Sequence, residues 1–101
     1  MTRKLRADAP VRLRLYVAGD SPAMQTALEC RHMILQRLGS RIEIEVIDIL
    51  EDRHAARSAG ILAAPTLSDD TQSPPRRLVG YLGAPEDVLG HFDLLGIGAT
   101  S

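Results

Sequence analysis

The stretch Leu13–Pro22, Leu-Arg-Leu-Tyr-Val-Ala-Gly-Asp-Ser-Pro, constrains the fold more than any other part of the chain. Leu13, Leu15 and Val17 alternate with Arg12, Arg14 and Tyr16, the period of a strand with one apolar face. Gly19 follows, free to take backbone angles that a Cβ disfavours. Ser21 is a good N-cap, and Pro22 suits the first helical position, where its missing N–H would have been unpaired. The stretch therefore reads as strand, tight turn, helix. Small α/β proteins commonly place their chemistry where a strand points at a helix N-terminus, so the residues at this turn largely decide function.

The rest of the chain follows from that start. Met24, Ala27, Leu28, Ile34, Leu35 and Leu38 share one side of a helix over Pro22–Leu38, with Gly39 at its stop. A second strand is expected over Arg41–Leu50: Ile42, Ile44 and Val46 alternate with Glu43 and Glu45, which gives it one wet face and the character of an edge. Strand, helix and strand in this order make a parallel, right-handed βαβ unit. Asp52 caps a short helix through Ser58, and Gly60 ends it. Pro65 interrupts the apolar run Ile61–Leu67, which demotes that run as a central strand unless the proline opens the strand, as a cis Ala64–Pro65 bond would. Asp69–Pro75 is turn material. Arg76–Leu82 reads as a strand with Gly80 as a bulge, and Pro85, Glu86 and Asp87 open a helix. Val88, Leu89, Phe92 and Leu95 form that helix's apolar face, and Gly96 and Gly98 end it. The order βαβ, helix, ββα predicts a thioredoxin-like α/β layer: a four-stranded mixed sheet, order 2-1-3-4, with helices on both faces. Residues 1–10, with Arg3, Lys4 and Arg6, are expected to form a flexible basic tail, 11–96 the folded domain, and 97–101 a flexible C-terminal tail.

Several functions are disfavoured on composition. A net charge of −1 supplies no basic field for nucleic acid. No apolar run approaches the ~20 residues that span a bilayer, and the N-terminus lacks the apolar segment of a signal peptide. Cytoplasmic residence is the expectation. Cys30 is the only cysteine, so neither an internal disulfide nor a cysteine metal cage can form. Where a redox thioredoxin opens its first helix with Cys-x-x-Cys, this chain has Asp20-Ser21-Pro22-Ala23-Met24. Thiol–disulfide exchange needs a thiolate attacking a disulfide, and Cys30 lies past the first turn of its helix, away from the terminus that lowers a thiol pKa. A thiol enzyme built on Cys30 is thus the weakest reading. Glu29-x-x-His32 occurs once, without the further acids a di-iron bundle needs. His54 and His91 have no ligands near them in sequence, and Ser21, His32 and Asp48 are triad residue types without a nucleophile elbow. No catalytic, cofactor-binding or metal residues are expected. Arg76 and Arg77, after Pro74–Pro75, form a compact cationic point suited to partner contact.

Five blocks in order resemble the KaiB family of circadian-clock proteins: Leu15-Tyr16-Val17-Ala18-Gly19, Val46-Ile47-Asp48-Ile49-Leu50, Ile61-Leu62-Ala63-Ala64-Pro65-Thr66-Leu67, Pro74-Pro75-Arg76-Arg77-Leu78-Val79-Gly80, and Val88-Leu89 with Asp93-Leu94-Leu95. The resemblance covers about residues 11–95. It implies a non-enzymatic protein that binds the hexameric ATPase KaiC and modulates its activity or its other partners. It also implies two folds: a tetrameric ground state, and a rarer monomeric thioredoxin-like state in which the second half of the chain is rearranged. The alternative expectation for this chain is therefore the ground-state fold, with a tetramer or dimer as its assembly. Pro65 shapes the loop beside the first strand. The family carries Gly where this chain has His91, two residues before the retained Asp93, and changes at those positions favour the thioredoxin-like form. His91 and Asp93 are thus expected to set the fold balance. Glu45, where the family has Lys on its KaiA-facing strand, counts against KaiA binding. A homo-oligomeric stress or scaffold protein without a KaiC partner is the competing function.

Overall fold

The computed structural model describes residues 10–95; the expected tails at 1–10 and 97–101 lie almost wholly outside them. The order is β1 (Val11–Val17), α1 (Pro22–Leu38), a single 3-10 turn (Gly39–Arg41), β2 (Ile42–Asp48), α2 (Arg53–Ala59), β3 (Thr66–Asp69), β4 (Arg76–Val79) and α3 (Pro85–His91). The four strands form one sheet in the order β2-β1-β3-β4. β1 runs parallel to β2, with Val11 opposite Ile42 and Val17 opposite Asp48, while β3 is antiparallel to both β1 and β4. The α/β thioredoxin-like layer expected from the element order is the one observed.

Alternation decides the faces. Val11, Leu13, Leu15 and Val17 of β1, Ile42 and Ile44 of β2 and Leu67 of β3 point to one side. There they pack with Met24, Ala27, Cys30, Ile34 and Leu38 of α1 and with Val88, Leu89 and Phe92 at α3. The core is aliphatic, with Phe92 at its α3 end. The opposite face is polar and only partly covered, by the short α2. Arg12 pairs with Glu43 at 3.2 Å and Arg14 with Glu45 at 3.4 Å across the β1–β2 register. Tyr16 is fully buried on this side.

Three boundaries differ from expectation, each for a local reason. β2 stops at Asp48 rather than Leu50: the Asp48 carboxylate accepts the Leu50 N–H at 2.9 Å, and its carbonyl accepts the N–H groups of Glu51 and Asp52. A self-made turn thus takes over from the ladder. β4 stops at Val79 rather than Leu82, because Gly80 turns the chain with φ +105°. α3 ends at His91, before the expected glycines. Asp93 adopts φ +59°, the left-handed region, and Leu94 donates its N–H back to Leu89 at 2.7 Å. Leu94 therefore enters the core, and Leu95, assigned in sequence to the apolar face, is exposed. Ser21 sits at the N-cap of α1, but its hydroxyl makes no capping bond.

Candidate docking surface

The turn after β1 is where a redox protein of this shape would keep its sulfur pair. Here Ser21, Pro22 and Ala23 are exposed, while Met24 is buried and its thioether accepts the Ala18 N–H at 3.4 Å. Cys30 is two turns deeper, buried among the core side chains, and burial pushes its thiol up. That is the reverse of what a nucleophilic thiol needs. His32 lies eleven residues along α1 from Ser21, about 16 Å of helix rise, so the Ser21–His32–Asp48 residue types do not converge. Among the described residues no group of three or more His, Cys, Asp or Glu is placed to hold a metal ion.

What this end of the molecule presents instead is apolar surface. β1, β2 and β4 all finish here and β3 begins here, so the connections 18–21, 49–52, 60–65 and 80–84 share one rim. Leu62 is 98% exposed, Tyr81 82%, Leu50 59% and Val79 55%. Four of the seven exposed large hydrophobic side chains among the described residues thus stand at one end of the sheet. Asp20, Glu51 and Asp52 are exposed beside them. Sequence reading placed Leu50, Leu62 and Tyr81 in or beside strands. The signals that could have exposed them were Asp48, Pro65 and Gly80, each of which breaks the ladder next to one of these residues. The Ala64–Pro65 bond is cis, and the buried Pro65 offers its carbonyl to Gly80 N–H at 3.1 Å, tying the loop to the end of β4.

The four other residues singled out in sequence come together on β4 and α3. Arg76 pairs with Asp93 at 2.5 Å, both partly exposed. The His91 ring lies against Phe92 edge-on, and its Nε2 is 2.7 Å from the Arg77 carbonyl. A carbonyl only accepts, so Nε2 carries the proton. Arg77 turns to the polar face of the sheet and is largely occupied there. It donates to Ser68 Oγ at 3.0 Å and to the Ala59 carbonyl at the end of α2, and it faces Asp70 at 3.5 Å. The Asp70 carboxylate also accepts from Ser68 and, at 2.8 Å, from the Tyr16 hydroxyl. Burial pushes Asp70 up, but the bonds from Ser68 and Tyr16 and the Arg77 charge outweigh it and leave the carboxyl below its usual range. Burial and the same bond push the Tyr16 hydroxyl up, against the opposing bond from Arg14. This network was not foreseen in sequence, where Tyr16 was an alternating strand residue and Asp70 turn material.

Comparison with known proteins agrees with the geometry. The KaiB domain family model matches residues 14–91. The circadian clock oscillator protein KaiB of Prochlorococcus marinus is 42% identical over 84 residues, covering 82% of this chain and 74% of that protein. That of Thermosynechococcus vestitus is 39% identical over 92 residues, covering 86% and 85%. The circadian clock protein KaiB3 of Synechocystis is 34% identical over 84 residues, covering 82% of each. Among solved structures, chloroplastic thioredoxin z aligns with a TM-score of 0.70 at 15% identity, over 87% of this chain and 80% of its own. A malarial protein aligns with a TM-score of 0.73 at 15% identity, over 83% and 94%. These two likenesses speak for the fold alone.

Proposed function

The chain belongs to the KaiB family, and from that premise we propose that it regulates a KaiC-type hexameric ATPase by docking on it. Its relatives are named for a circadian clock oscillator, and a thioredoxin-like fold does not by itself imply catalysis. The observation that carries the reading is the rim of Leu50, Leu62, Val79 and Tyr81, gathered where a reductase would keep its thiols. Exposed apolar patches of this kind mark contact surfaces. Arg76, at the other end of β4 and paired with Asp93, is a second contact in this reading, and Arg77 fixes the strand that bears it. KaiA has no part in this proposal, because the β2 face carries Glu43 and Glu45, each already paired with an arginine of β1. No helix among the described residues is long and apolar enough to cross a membrane, which suits a cytoplasmic regulator.

We also propose that His91, which departs from the family's Gly, biases the chain toward the observed fold, and that the retained Asp93 is the second position that sets the balance. Both contacts, His91 to the Arg77 carbonyl and Asp93 to Arg76, join α3 to β4 and exist only while the second half is arranged this way. Pro65 holds the loop that leads into β3. The test of function is direct. The full chain, mixed with a purified KaiC homologue from the same genome and ATP, should co-elute as a stoichiometric complex and change the rate of ATP hydrolysis. Failure to bind any such homologue, together with self-association into a tetramer, would instead favour the scaffold reading.

A further inference from the structure

The two outer strands of the sheet, β2 and β4, each leave a row of backbone groups facing away from their neighbour, and each row is interrupted by one side chain from the helical layer. On β2, Ile49 N–H bonds Val17, so by alternation the odd residues 43–47 face β1 and Ile44 and Val46 face outward. Arg31 of α1 reaches across and donates its Nε–H to the Ile44 carbonyl at 2.8 Å. On β4, Gly80 N–H bonds Pro65. In an antiparallel pair this makes Leu78 and Arg76 the residues bonded to β3 and turns the N–H and C=O of Arg77 and Val79 outward. His91 of α3 donates to the Arg77 carbonyl at 2.7 Å. An open edge is a template for a further strand, and natural sheets block it by such devices.

We propose that His91 is a guard on the β4 edge, and that β4 of a second copy of this chain is the strand it holds off. The occupant follows from the edge itself. Val79, whose outward groups no helix among the described residues covers, is 55% exposed, and Tyr81 two residues on is 82% exposed, so apolar surface flanks the open groups. A two-fold axis at Leu78 keeps the pairing within β4: Arg77 of one copy exchanges both hydrogen bonds with Val79 of the other, and Arg76 lies opposite Gly80, so no like charges face each other. β2 is a poorer edge, because Glu43 and Glu45 flank the guarded Ile44. A four-residue strand buries little area, so the pairing in the intact protein is weak and transient. Without the His91 bond each copy frees one Arg77 carbonyl, so two competing hydrogen bonds are lost per dimer, a change of roughly 10- to 100-fold in the dimer constant.

Sedimentation velocity on the full chain tests this, with circular dichroism and amide NMR reporting the fold. Wild type is expected to be monomeric at tens of micromolar. His91→Ala should dimerise roughly 10- to 100-fold more tightly, with amide shifts confined to β4 and its flanks. His91→Gln, which keeps a donor at similar reach, should behave as wild type. Val79→Pro added to His91→Ala should restore the monomer by removing the N–H that bonds the Arg77 carbonyl of the copy. A folded, monomeric His91→Ala overturns the proposal. So does a dimer that survives Val79→Pro, or a tetramer with new shifts throughout 49–95, which would be refolding rather than strand addition. Should His91→Ala not fold, wild type concentrated to the millimolar range is expected to show exchange broadening at Arg77, Val79 and Tyr81 that Val79→Pro abolishes; concentration-independent spectra there overturn it.

Discussion

The two halves of this molecule are held in different ways. From Val11 to Asp48 the chain is built on two seven-residue strands and a 17-residue helix, joined by a full parallel register and a continuous apolar interface. Beyond Asp48 it is two four-residue strands and two seven-residue helices. This half shares the core through Leu67, Leu82, Val88, Leu89, Phe92 and Leu94, and named polar contacts add to that: Arg77 with Ala59, Ser68 and Asp70, Arg76 with Asp93, and His91 with the Arg77 carbonyl. Apolar burial is non-directional and accumulates with area. A small set of directional bonds specifies one arrangement and can be lost piecemeal. The second half is therefore where loss of one such bond is expected to loosen local structure first.

The contrast can be broken most severely from the first half. Ile34→Ala, at the centre of the α1–sheet interface, is expected to cost about 2–5 kcal/mol, read as a lowered urea midpoint with all probes moving together. Arg77→Ala should cost less, about 1–3 kcal/mol, and should raise amide exchange in α2, β3 and β4 while leaving β1 and α1 protected. Uniform loss of protection would mean that the halves are one cooperative unit. Tyr16→Phe, which removes one bond to Asp70, is expected to cost about 0.5–1.5 kcal/mol. It should also flatten the acid limb. The folded Asp70 titrates below its unfolded value, so its contribution is present above the unfolded pKa and is lost as pH falls through the folded one. Tyr16 has the opposite sign: its folded pKa is raised, so its contribution is full below the ordinary tyrosine value of about 10 and fades as pH rises through the folded one. Smallest of all, Arg76→Ala removes a partly exposed pair and should change stability by about 0–1 kcal/mol, measured against Asp93→Ala in a double-mutant cycle.

The same contrast explains what could be read in advance. Alternation in Leu13–Val17 and Ile42–Ile44, and the helical spacing from Met24 to Leu38, fixed elements and faces because each residue's environment there repeats with the backbone period. The second half has few repeats to read. Its strand ends depend on single events: the Asp48 side chain bonding Leu50, Gly80 at positive φ, Asp93 at φ +59°. The candidate surface inherited that difficulty. Arg76 and Arg77 stood out as a charge pair, but only the folded chain shows Arg77 turned inward to Asp70 and the apolar side chains of Leu62 and Tyr81 turned outward.

Met24, stoppering the turn after β1 with a buried thioether, has a consequence of its own. Where a redox protein of this shape carries its thiols, this chain holds a thioether, which neither ionises nor forms a disulfide, and its one cysteine, Cys30, is buried in the core. Thiol–disulfide exchange, which needs a thiolate, therefore has no thiol to act on at this turn.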